Sequence, residues 1–110
     1  MKLYLDTSNP DTILKLDEKL YVAPLGRDTA EKIFSFISDK LAENNASFKD
    51  VTEITFMSGP GSFTGLRIGA AVVNTLADQL GIPLYNHHRE KVPIIIPDYG
   101  RLANISKPKK

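Results

Sequence analysis

The chain has 110 residues, 42% hydrophobic and 25% charged, with 14 basic against 13 acidic side chains and no cysteine. That is the composition of one ordinary globular domain, and a net charge of +1 gives no overall pull towards nucleic acid or a membrane surface. Disulfide and thiolate chemistry are excluded, Asp6 interrupts any N-terminal apolar leader, and no stretch is long enough to span a bilayer, so a cytoplasmic protein is expected.

In chain order, Lys2 to Leu5 is β-like, and Asp6 to Asp11 is a turn of residues that hydrogen-bond their own backbone. Thr12 to Leu16 and Leu20 to Leu25 follow as strands around Asp17-Glu18, completing an antiparallel meander. Asp28 or Thr29 reads as an N-cap. Ile33, Phe34, Phe36, Ile37 and Leu41 then recur at helical spacing, predicting a helix over 29–43 that stops at Asn44-Asn45. Glu53 to Met57 is a buried strand. A glycine loop leads from it into a second helix over 65–80, closed by Gly81, and Pro83 to Asn86 is a short fifth strand. The order βββαβαβ predicts an α/β layer with a mixed five-stranded sheet and two helices. Residues 1–86 form the main lobe. Residues 87–110 are expected to add a proline-fenced edge strand, Val92 to Pro97, and a basic tail to the same domain.

The loop Gly59-Pro60-Gly61-Ser62-Phe63-Thr64-Gly65 invites a phosphate reading, because glycine-rich turns before a helix aim backbone amides at anions. Known patterns do not fit it. Leu66 follows Gly65 where a Walker loop needs lysine, Thr64 stands where a dinucleotide fingerprint needs glycine, and Pro60 and Thr64 flank Ser62 where a nucleophile elbow needs two glycines. The turn Asp6-Thr7-Ser8 offers a carboxylate and two hydroxyls for a metal-phosphate site, or else an Asx turn closing a hairpin. His87 and His88 are adjacent and face opposite ways in extended chain, so neither a shared metal nor a Ser/His/Asp set is expected. Small residues at Gly65, Gly69, Ala70, Val73 and Ala77 mark a thin stripe on the second helix where another element approaches closely, either the chain's own first helix or a partner protein.

The run Gly59 to Gly69, together with Leu5-Asp6-Thr7-Ser8 and Leu80-Gly81-Ile82-Pro83-Leu84, resembles the bacterial TsaB (YeaZ) family. The ending 97–110 is similar to that family's C-terminal tail. The resemblance implies an actin-like, Hsp70-type (ribonuclease H-like) fold, of which this chain carries the first lobe without the second wall of a nucleotide cleft. It also implies a non-catalytic protein with no cofactor and no metal, pairing with a TsaD-type subunit beside a TsaE-type ATPase, with tRNA engaged indirectly. The pairing would use the two helices, through Ile33, Ile37, Gly65, Leu66, Gly69, Ala70, Val73 and Ala77, and a homodimer through the same faces is compatible with it. Asp6, Thr7, Ser8, Gly59, Gly61 and Ser62 would then be a vestigial phosphate loop. The competing reading is a small nucleotide- or phosphate-binding enzyme using those same residues.

Overall fold

The computed structural model describes residues 1–98, and the basic tail lies outside the described residues. Strands β1 (Lys2–Asp6), β2 (Thr12–Leu16) and β3 (Lys19–Ala23) are followed by α1 (Thr29–Glu43), β4 (Glu53–Phe56), α2 (Phe63–Leu80), β5 (Leu84–Tyr85) and β6 (Lys91–Val92). The sheet order is β3-β2-β1-β4-β5-β6. β1 pairs antiparallel with β2 and parallel with β4, and β4 is parallel to β5.

The period-2 pattern of the strands decides which face is covered. Leu3 and Leu5 of β1, Leu14 and Leu16 of β2, and Ile54 and Phe56 of β4 are buried on one face. Ile33, Ile37 and Leu41 of α1 and Leu66, Val73 and Leu76 of α2 are buried with them. The other face carries the row Leu20, Lys15, Tyr4, Thr55 and Tyr85, related strand to strand by the register. Among the described residues no helix covers that side; Arg89 reaches over it to Thr55 Oγ1 and to Glu53 at 3.2 Å.

The local signals for helix ends work as the residue types dictate. Asn45 takes φ 57° and Ala46 N–H returns to Leu41 O at 2.9 Å, ending α1 in a left-handed residue. Gly81 ends α2 at φ 65°, a conformation that a side chain would oppose. α2 begins at Phe63, earlier than Gly65, because Ser62 caps it with a hydroxyl that accepts Gly65 N–H at 3.2 Å.

Two expectations are corrected at the C-terminal side. The sheet has six strands, and the expected strand 92–97 contributes only Val92, paired with Lys91 to β5. Pro93 has no N–H for a ladder, and beyond it a side chain takes over the role of a neighbouring strand. Asn74 Oδ1 accepts Ile95 N–H at 2.7 Å, and Asn74 Nδ2 donates to Ile95 O at 3.1 Å. Ile95 is thereby held in the core at 3% exposure while Ile94 and Ile96 stay exposed. The histidines also depart from the extended picture: Asn86 Oδ1 accepts from the amides of His88 and Glu90, and the resulting turn brings the two rings to 4.0 Å.

Candidate functional site: the glycine loop and the flank of the second helix

The loop is built around the β1–β2 turn. Asp6 Oδ1 accepts Ser8 N–H at 2.8 Å and the Ser8 hydroxyl at 2.5 Å, which is the Asx turn. Thr7 Oγ1 donates to Gly65 O at 2.6 Å, and Ser62 N–H donates to Ser8 O at 2.8 Å. All three hydroxyls of the proposed phosphate loop, those of Thr7, Ser8 and Ser62, therefore hold the loop together.

The glycines permit backbone contact. A Cβ on Gly61 would lie 2.4 Å from Ser8 Cβ, and one on Gly65 would lie 2.2 Å from Thr7 O. At Gly69 it would lie 2.2 Å from Thr7 Oγ1 and 2.6 Å from the Phe56 ring. Gly59, at φ 121°, has Asp98 O where a Cβ would go, and Asp98 N–H donates to Ser58 O at 2.7 Å. The segment after β6 thus returns to the loop and closes over it.

This geometry corrects the expected partner interface. Ile33, Ile37, Leu66, Gly69, Ala70, Val73 and Ala77 are buried within the chain, and Gly65 is half-buried against the β1–β2 turn. The thin stripe is a close approach, as its spacing indicates, but its partner is the chain's own sheet. What α2 offers to solvent is the adjoining flank. Thr64, Arg67, Ile68 and Ala71 line an open groove of about 270 Å³. Thr64 and Ile68 also line a neighbouring cavity of about 430 Å³ with Thr7, Asn9, Arg27 and Thr29. Phe63, 49% exposed, lies beneath the Arg67 guanidinium at 5.8 Å, a cation–π contact at the start of the flank.

Sequence reasoning did not find Asn74 or the Ser58–His87 pair, in which Ser58 Oγ and His87 Nδ1 are 2.8 Å apart. The available signal for Asn74 was an amide in the middle of an otherwise apolar helix, which needs a partner when half-buried. On the open face, burial and the neighbouring Asp6 carboxylate push the Tyr4 phenol above its ordinary value of 10.0.

The family model described as TsaD, tRNA N6-adenosine threonylcarbamoyltransferase, matches residues 24–94. Among relatives, the tRNA threonylcarbamoyladenosine biosynthesis protein TsaB of Haemophilus influenzae is 34% identical over 86 residues, covering 74% of this chain and 36% of that protein. The chain belongs to the TsaB (YeaZ) family. TsaB of Bacillus subtilis is 31% identical over 87 residues, covering 74% of this chain and 38% of that protein. YeaZ from Pseudomonas aeruginosa superposes with a TM-score of 0.68 at 28% identity, covering 98% of this chain and 48% of that one. The mixed sheet with two helices on one face is therefore the actin-like, ribonuclease H-like fold of the family. The chain spans between about a third and a half of the length of these relatives.

Proposed function

We propose that this chain serves tRNA threonylcarbamoyladenosine biosynthesis as a non-catalytic, TsaB-like partner of a TsaD-type subunit. The match to proteins named for that pathway supports the pathway. The observation that carries the non-catalytic role is the loop: Asp6, Thr7, Ser8 and Ser62 spend their polar groups on one another and on Gly65, fixing how α2 leaves the sheet. The docking surface is the exposed flank of α2, Thr64, Arg67, Ile68 and Ala71, next to the buried stripe. A TsaE-type ATPase joins the same complex, and tRNA is engaged through the TsaD-type subunit.

The test is copurification with a TsaD-type protein, followed by reconstituted tRNA modification with a TsaE-type ATPase, with and without this chain. Ile68→Glu and Ala71→Glu put a carboxylate on the flank without entering the core. They should weaken pairing at least ~10-fold, or about 1.4 kcal/mol, with circular dichroism unchanged. Undiminished pairing by both variants moves the surface elsewhere, and modification that proceeds equally well without the chain removes the function.

The second reading, a nucleotide- or phosphate-binding enzyme, rests on the cavity of about 430 Å³ beside the loop, where Arg27 supplies a cation. Calorimetry with ATP separates the two readings. Micromolar binding that is lost in Arg27→Ala favours the enzyme, and absence of heat favours the scaffold.

A further inference from the structure

β3 is an edge strand of the sheet, and its two large apolar side chains, Leu20 and Val22, are 60% and 54% exposed on the face without helices. Edge strands are usually blunted by charge, proline or a bulge. Here Lys19 and Pro24 stand only at the two ends, and the centre is Leu20-Tyr21-Val22. β2 and β3 join by a two-residue loop, with Leu16 opposite Lys19. Counting the alternation of antiparallel pairing from that closing pair, Leu20 and Val22 turn their N–H and C=O groups away from β2, towards the open edge. Tyr21 faces the helix side, where Asn44 Nδ2 donates to its hydroxyl at 2.9 Å and Lys40 lies 5.3 Å from its ring. The centre of the edge is therefore tied to the end of α1.

We propose that β3 pairs antiparallel with β3 of a second copy of this chain, about a two-fold axis at Tyr21. The strand is self-complementary in that register. Leu20 falls opposite Val22 of the second copy, and the outward groups of both residues meet as hydrogen-bonded pairs. Lys19 falls opposite Ala23 and Glu18 opposite Pro24, so no like charges face each other along the two strands. Both copies keep their helices on the same side. With strands ~4.8 Å apart, one β2 lies about 14 Å from the other, so helices packed over β2 lie outside the 8–10 Å of close packing. α2 packs on β4 and β5, away from this edge, so the pairing is independent of the proposed α2 flank.

Sedimentation equilibrium of the full chain, from about 1 μM to about 1 mM, should show the mass rise from 12.2 kDa towards twice that value. Leu20→Lys with Val22→Lys sets cations against cations and should weaken association at least ~10-fold. Leu20→Lys with Val22→Glu sets opposite charges together in this register only, and should keep the dimer. The chain has no cysteine. Oxidised Tyr21→Cys should therefore link two copies, since the pair on the axis stands ~4.5 Å apart at Cα, whereas Leu20→Cys, ~8 Å from its own copy, should not. A mass that stays monomeric throughout, equal loss in both charge variants, or equal cross-linking at positions 20 and 21 overturns the proposal.

Discussion

Tyr4 shows how a single side chain reports the uncovered face of the sheet. Its phenol is half-buried beside Asp6, and both burial and that carboxylate disfavour the phenolate. The folded pKa is thus raised above the unfolded value. The sign follows from linkage: the contribution to stability is fully present below pH 10.0, and is lost as the pH climbs from there through the folded value, because the unfolded chain ionises first. Tyr4→Phe should flatten the alkaline limb of stability against pH, seen as smaller losses of the urea midpoint above that pH. Spectroscopic titration should show one of the tyrosines ionising late in the parent chain. The same scale explains the histidines. Adjacent residues in an extended strand point apart, but Asn86 ties down a turn, and the rings of His87 and His88 come together.

α2 is the element on which sequence and structure diverge most usefully. Its C-terminal end is legible in the sequence, because a left-handed glycine acts within a few residues of itself, whereas the Ser62 cap starts the helix two residues before the expected Gly65. Its small-residue stripe was legible as a close approach, but spacing along a helix does not say what does the approaching. The answer came from residues distant in sequence: Thr7 and Phe56 fill the space that side chains at Gly65 and Gly69 would need. Gly69→Ala should therefore destabilise the fold. Alanine gains up to ~1 kcal/mol in helix propensity, yet its Cβ would sit 2.2 Å from Thr7 Oγ1 and push on the Phe56 ring. Overpacking of that kind costs about 1–3 kcal/mol, so a net loss is expected in urea denaturation, and Gly69→Leu is a folding variant instead of an interface variant. Unchanged or increased stability of Gly69→Ala would contradict the close approach. Ala71→Ser, on the exposed flank, should stay within about 0.5 kcal/mol of the parent.

At the scale of the whole molecule, the described residues form one sheet closed on one side by two helices, and the chain's last described segment locks that arrangement. Ile95 is paired through its backbone to Asn74, and Asp98 is bonded to Ser58 beside the loop. Asn74→Leu would strip partners from the Ile95 N–H and C=O in a segment whose side chain is in the core. The expected cost is about 1–3 kcal/mol. In a domain of roughly this size that corresponds to a melting temperature lower by several degrees, about 4–8 °C per kcal/mol for 60–100 residues. Hydrogen exchange at Ile95 should rise along with it. A variant that melts with the parent would mean that the segment is held by Ile95 packing alone.

Local signals along the chain settle the order of the main elements, both ends of α1, the C-terminal end of α2 and the family, because caps, turn residues, periodicity and a contiguous glycine motif are local properties. The sequence left undecided which side of α2 faces the sheet, and that the Thr7 hydroxyl donates to Gly65 O while Ser62 N–H donates to Ser8 O. It also predicted a strand beyond Val92 where Asn74 supplies the pairing. Those are meetings of groups far apart along the chain, fixed only once the sheet register brings β1, β4 and α2 together. For the same reason the exposure of the α2 flank, and of the β3 edge among the described residues, could be read only from the packed structure.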